Sequence, residues 1–326
     1  MSALLRRVDR YLLLLIATVV LAALLPARGE GAVWVDRGVN VAVAALFLFY
    51  GARLKPEAIW AGLSHWRLQA LIFASTYILF PLVGLAVTFA LRGILSADVR
   101  AGLLFLCLLP STVQSSIAFT SVARGNVAAA VCSASASNFA GIFVTPLLVG
   151  TLVVHGAASG GAGSPLDAIV AIVKQLLLPF LAGQLLRPWI GTWIDGHKPL
   201  LKIVDQGSIL LVVYTAFSES VNDGLWHKLS LPSLVGLGLL CCLMLAIALG
   251  LAAFMSRRMG FSREDEITIV FCGSKKSLSS GIPMAKVFFA PGALGMVILP
   301  LMLFHQIQLM VCAILAARWA QRDDPR

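Results

Sequence analysis

The sequence predicts an all-α integral membrane protein: ten transmembrane helices arranged as two inverted five-helix repeats. Composition is the first observation behind this. Of 326 residues, 59% are hydrophobic and 12% charged, with a mean hydropathy of +0.92, whereas a soluble domain carries about 25% charged residues. At about 20 apolar residues per span, the chain fills about nine or ten spans and leaves no room for a sizeable soluble domain. The second observation is the placement of Lys and Arg, and the third is a midpoint linker that divides the spans equally.

Ten apolar segments are predicted, at 10–26, 36–52, 68–91, 101–122, 126–153, 166–186, 205–226, 231–255, 266–290 and 293–317. Most are too long for soluble core helices. Turn chemistry separates them: Pro26-Ala27-Arg28-Gly29, Arg124-Gly125-Asn126 and Pro291-Gly292. Only 156–165, rich in Gly and Ser, reads as a flexible linker. The organisation is therefore a first repeat at 1–155, the linker at 156–165 and a second repeat at 166–326. A cleaved signal peptide is the rival reading of the first segment, since Arg6-Arg7 precedes it. Cleavage would leave nine spans and an unpaired first half.

Cytoplasmic loops retain Lys and Arg. With the N-terminus inside, sixteen of the 25 basic residues fall on cytoplasmic pieces, among them Arg6, Arg7, Arg10, Arg53, Arg124, Arg187, Lys198, Lys202, Arg257, Arg258 and Arg263. Arg28, Arg37, Arg92, Arg100 and Lys228 fall on the opposite side, and Lys174, Lys275, Lys276 and Lys286 fall inside spans. This asymmetry predicts ten spans in the plasma (inner) membrane with both termini cytoplasmic. It also accounts for most of the +10 net charge without nucleic acid; the lipid bilayer is the partner it implies.

Five spans per half makes the second half enter from the opposite side, as in inverted-repeat transporters whose site lies where discontinuous helices meet near the midplane. Val35-Asp36-Arg37-Gly38 and Val204-Asp205-Gln206-Gly207 open the second span of each half. In corresponding fourth spans lie two polar runs, Leu109-Pro110-Ser111-Thr112-Val113-Gln114-Ser115-Ser116 and Gly273-Ser274-Lys275-Lys276-Ser277-Leu278-Ser279-Ser280-Gly281. Pro and Gly free backbone groups that lipid cannot satisfy. A lone Ser more often packs helices or bonds its own turn, but that does not explain two dense clusters in matching places.

Lys275 and Lys276 are the most informative pair. An ionisable residue at span centre costs about 2.5–3.5 kcal/mol on insertion scales, so it faces a cavity or a partner. Glu219 is the best acidic counterpart in the spans, and one carboxylate cannot neutralise two ammonium groups. Either the site is positive and attracts an anion, or one lysine carries a transported proton. The structural alternative is a lysine set against the carbonyl end of a broken half-helix, in place of a metal cation. Both can hold, one per lysine. Substitution of either lysine by alanine is expected to abolish uptake without loss of folded protein.

The run from Leu109 to Gly150, with Ala123-Arg124-Gly125-Asn126-Val127 and Thr145-Pro146-Leu147-Leu148, resembles the bile acid:sodium symporter superfamily. Together with Phe271-Cys272-Gly273-Ser274-Lys275-Lys276-Ser277 it is similar to the sodium/bile acid cotransporter 7-like subgroup. The resemblance implies a panel domain from spans 1, 2, 6 and 7 and a core domain from spans 3–5 and 8–10, with spans 4 and 9 broken and crossing. It places the family's sodium-site positions on Ser115, Ser116, Ala129, Ser133, Phe271, Lys275 and Lys276, with one near Thr76. Hard cations need oxygen ligands. A site with Phe271 in place of a carboxylate and two added ammonium groups should repel sodium, so no metal site is assigned and the coupling ion stays open between proton and sodium.

Ser137 and Asn138 on the fifth span join the candidate binding residues, and His305, with Gln306 and Gln308, joins Thr76 and Glu219 as candidate cavity residues. Interhelical bonding is an equal reading for the tenth-span group. Six cysteines without ligand spacing read as apolar filler. The segment 56–67, with Trp60 and Trp66, reads as an interfacial helix. Two functions remain: a secondary transporter of a small organic anion, or a non-transporting membrane regulator, for instance of calcium homeostasis. No motif supports an enzyme, no cofactor is implied, and a homodimer is left open.

Overall fold

The computed structural model describes residues 10–53, 65–154, 174, 177–222 and 230–321. Among them there are helices and turns and no strand. The elements are α1 (Arg10–Leu24), α2 (Gly29–Arg53), α3 (Trp66–Ala90), α4a (Ala97–Leu108), α4b (Gln114–Val122), α5 (Val127–Val149), α6 (Leu178–Gly196), α7 (Lys198–Asn222), α8 (Leu231–Arg258), α9a (Arg263–Gly273), α9b (Leu278–Phe288) and α10 (Pro291–Ala320). Among the described residues six helices are long and apolar enough to cross a membrane: Gly29–Arg53, Trp66–Ala90, Val127–Val153, Pro199–Glu219, Leu231–Arg258 and Gly292–Ala320. The chain is a multi-pass membrane protein. The linker at 156–165, and all of the expected interfacial segment before His65, lie outside the described residues.

One boundary expectation changes. The stretch 187–204, expected as a loop, is helical apart from a turn at His197, so Arg187 and Lys202 sit on α6 and α7. Pro188 lies inside α6 rather than ending it. The second helix also starts earlier than expected, at Gly29, whose φ of +57° suits a residue without Cβ.

The chain divides into two compact units. The first takes the described residues of Met1–Arg53, Gly160–Ser230 and Ile282–Ile298. Within it α2 and α6 meet backbone to backbone. A Cβ on Gly51 would stand 2.0 Å from the Phe180 carbonyl oxygen, and one on Gly183 would stand 1.9 Å from that of Leu48. Small residues at such crossings let helices approach closely where lipid offers no hydrophobic drive. Polar contacts tie the ends together: Arg53 pairs with Asp205 at 2.7 Å, and Tyr214 donates to the Leu25 carbonyl at 2.8 Å. Lys286, expected inside a span, pairs with Asp36.

The second unit takes the described residues of Leu54–Ser159, Leu231–Gly281 and Leu299–Arg326. Leu68, Leu71, Ile72, Ala129, Ala130, Ala252, Ile269, Val270 and Cys272 form one of its cores. The α4b–α5 turn is fastened to α9a. Arg124 adopts φ 58°, the Asn126 N–H donates to the Glu264 carbonyl at 3.1 Å, and its side chain donates to Asp265 at 2.9 Å. Glu266 is buried and paired with Arg257 and Arg263 at 2.9 and 3.0 Å.

Candidate functional site

Both helices predicted to break do so: α4a stops at Leu108 and α4b begins at Gln114, while α9a stops at Gly273 and α9b begins at Leu278. The cause in α4 is Pro110, which has no N–H for the carbonyl four residues back. Four successive carbonyls are left without helical partners, and each is met from outside the helix. The Leu108 oxygen accepts from Thr145 Oγ1 at 2.8 Å, and that of Pro110 accepts from the Ser277 N–H at 2.9 Å. The Cys107 and Leu109 oxygens both accept from Lys276 Nζ, each at 2.8 Å. The Ser277–Pro110 bond joins one break directly to the other.

The third acceptor of Lys276 comes from α3. Residues Ser75–Leu79 form a π-helical stretch, in which the Phe80 N–H bonds the Ser75 carbonyl. In that register the Thr76 carbonyl needs the N–H of residue 81, which is proline. Thr76 O accepts instead from Lys276 Nζ at 2.9 Å. All three N–H bonds of this ammonium are used, and the Phe80 ring lies 4.3 Å from it. The positive charge sits at the C-terminal, negative end of α4a. Lys276 therefore realises the structural alternative read from the sequence, a tethered cation in a carbonyl cage. Its three bonds join α3 to the end of α4a.

Lys275 is different. It is fully buried, and among the described residues its Nζ has no hydrogen-bond partner. It stands 4.4 Å from the Phe119 ring centroid and 5.4 Å from that of Phe271. The α9 break itself is held by Gln308, which accepts from the Lys276 N–H and donates to the Lys276 carbonyl, both at 2.9 Å. Gln308 Nε2 also lies 2.9 Å from His305 Nδ1.

The other predicted residues are distributed as follows. Thr112 bonds Ser115 and Ser116 at 2.8 and 3.2 Å, and Ser116 donates to the Phe271 carbonyl at 3.2 Å. Ser137 Oγ accepts from the Ser111 N–H at 3.2 Å, while the buried Ser111 hydroxyl bonds nothing. Ser277 caps α9b by accepting from the Ser280 N–H, and Ser280 donates to Asn138 at 2.8 Å. Ser274 donates to the Val270 carbonyl at 2.5 Å, and Gly273 packs against Ser75, to which a Cβ would come within 3.1 Å. Two residues do not aim side chains into this network: Gln114 is exposed, and Ser133 bonds back to its own helix at Ala129. Thr76 contributes its carbonyl, its hydroxyl being bonded to Ile72. Glu219 lies on α7, in the other unit.

Sequence reasoning missed the acceptors of Lys276, because every residue has a carbonyl. Pro81 and Pro110 were the available signals. It also missed Phe80, Phe119 and Phe271 as rings facing ammonium groups.

Interrupted helices bonded break to break inside a multi-pass helical protein are a feature found in membrane transporters. The chain matches the SBF-like CPA transporter family over residues 9–321 and belongs to it. It is 58% identical over 316 residues to an uncharacterized protein of Pseudomonas aeruginosa, covering 97% of this chain and 94% of that one. It is 52% identical over 322 residues to the Escherichia coli protein named "Putative symporter YfeH", covering 98% and 95%. It is 29% identical over 280 residues to Sodium/bile acid cotransporter 7 of Rattus norvegicus, covering 84% and 81%. The resemblance read from the motifs is thus borne out, and the protein is a membrane transporter, not an enzyme.

Proposed function

We propose that the protein is a secondary transporter of a small organic anion, driven by a proton gradient rather than by sodium. The observation that carries this reading is the cage of three carbonyls filled by Lys276 Nζ. A sodium ion cannot share that cage with an ammonium. Two buried ammonium groups with no carboxylate bonded to either leave local positive charge that favours an anionic substrate.

The ten-span architecture belongs to the same proposal. Helices α1, α2, α6 and α7 act as panel and α3–α5 with α8–α10 as core, in two inverted repeats, with both termini cytoplasmic in the inner membrane. The division into two compact units supports most of this assignment: the described residues of Met1–Arg53 and Gly160–Ser230 group together, and those of Leu54–Ser159, Leu231–Gly281 and Leu299–Arg326 form the other unit, while Ile282–Ile298 groups with the first. Alternating access then moves one set against the other around the crossing of α4 and α9. No cofactor or nucleic acid enters the cycle.

The test is uptake into proteoliposomes of a panel of labelled anions, with sodium and proton gradients imposed separately. Stimulation by a proton gradient alone is the expected result. Stimulation by sodium alone overturns the coupling, and uptake of no anion under either gradient overturns the substrate class.

A further inference from the structure

We infer that Lys275 is the residue that takes up and releases the coupling proton, while Lys276 keeps its charge throughout the cycle. This rests on the proton-driven reading above and assigns its chemistry to one of two adjacent side chains.

The assignment follows from what each ammonium would lose with its proton. Lys276 Nζ donates to Thr76, Cys107 and Leu109 at 2.8–2.9 Å. Losing a proton there breaks a charge-assisted bond, weakens the other two and strips the α4a terminus of its counter-charge. Lys275 has no such bond to lose. Two aromatic faces, Phe119 and Phe271, are what hold its charge, and cation–π attraction replaces a hydration shell only in part. The neutral amine sits in the same apolar cage without that deficit. Lys275 can therefore change charge without breaking a protein hydrogen bond, which a carrier must do once per cycle.

The titratable groups acting on Lys275 are the thiols of Cys272 on α9a and Cys312 on α10, and α4b contributes the Phe119 ring. The Lys276 ammonium, next along the chain, is held on its own acceptors. Glu266, further along α9a, is engaged by Arg257 and Arg263.

The Phe271 ring lies tilted against Trp319 with centroids 5.3 Å apart, and the Arg263 guanidinium lies over Trp319 at 4.9 Å, at the start of α9a. The aromatic layer of Phe119, Phe271 and Trp319 separates Lys275 from that partly exposed arginine. When a ring turns aside and water reaches Nζ, an N–H bond breaks, its electron pair stays on nitrogen, and the proton passes to water as hydronium. Uptake is the reverse.

The direct test needs no substrate. The protein is labelled with lysine bearing nitrogen-15 at Nζ, and the resonances are followed by NMR over the pH range in which it stays folded. The Lys275 signal, assigned by its loss in Lys275→Met or, should that variant not fold, in Lys275→Arg, is expected to move from the ammonium to the amine position. The Lys276 signal stays at the ammonium position. A Lys275 signal that stays ammonium throughout, or a Lys276 signal that moves instead, overturns the inference while leaving anion transport standing. In proteoliposomes, any panel anion whose uptake responds to a pH gradient should lose that response in both Lys275 variants; a retained response also overturns it. If no anion responds in the unaltered protein, the proton-driven reading fails, whatever the resonances do.

Discussion

The ammonium groups of Lys275 and Lys276, neighbours in sequence, have opposite surroundings: Lys276 Nζ donates to three carbonyls, and Lys275 Nζ donates to none. Removing them should therefore have unequal effects. Lys276→Met leaves the Thr76, Cys107 and Leu109 oxygens buried without a donor, at about 1–3 kcal/mol for each unsatisfied group. Lys275→Met replaces an unbonded charge by an apolar side chain of similar length, which is often neutral or stabilising. Thermal melting in detergent is expected to show a large loss for Lys276→Met and little or none for Lys275→Met. Equal losses would contradict the division of roles.

Gln308 holds the α9 break open by bonding both backbone groups of Lys276. Gln308→Leu keeps the volume and removes both bonds, so about 1–3 kcal/mol per buried unpaired group is lost locally. Hydrogen exchange at the Lys276 and Ser277 amides should accelerate, with α8 amides unchanged. Protection at Lys276 equal to that of the unaltered protein would mean that the break holds without Gln308.

The α2–α6 crossing has no space for a methyl group. Gly183→Ala puts a Cβ 1.9 Å from the Leu48 carbonyl oxygen, and Gly51→Ala puts one 2.0 Å from that of Phe180. Both should lower the yield of folded protein sharply. Gly236→Ala on α8, where nothing lies within 4 Å of the new Cβ, should be neutral or stabilising by up to about 1 kcal/mol. Expression and melting of the three variants check this together.

Lys286 and Asp36 are paired, with side-chain exposures of 12% and 42%. Asp36→Asn leaves a mostly buried ammonium without its counter-charge and should destabilise more than the double variant Asp36→Asn/Lys286→Met. A double-mutant cycle is expected to give a coupling of about 0.5–3 kcal/mol; a value near zero would mean that the pair contributes nothing.

The sequence marked where the two helices are interrupted, because polar runs at 109–116 and 273–281 are conspicuous where lipid demands apolar residues. It did not disclose which lysine is structural, since that depends on backbone oxygens, and backbone oxygens leave no trace in residue identity. Pro81 and Pro110 were the exceptions: each removes an N–H and so marks a place where a carbonyl must look elsewhere. Thr76 was named because a sodium-site position of the resembling family falls near it, and it is its carbonyl that Lys276 meets. The helix from Leu178 to Gly196 and its turn at His197 were misplaced because Arg187-Pro188 reads as a stop, whereas a proline inside a helix need not end it. Ser133 and Gln114 show the limit of motif position alone, since one bonds its own turn and the other faces outward.

The cation in the carbonyl cage is covalently attached. Its effective concentration at Thr76, Cys107 and Leu109 is set by its side-chain tether and not by the medium. A diffusible ion in that position would leave when diluted, and the two half-helix ends would loosen with it. Here dilution removes nothing. The melting temperature should thus be the same in sodium chloride and in choline chloride of equal ionic strength, and the bond from Ser277 to Pro110 between the two breaks should persist in a cell of any sodium content.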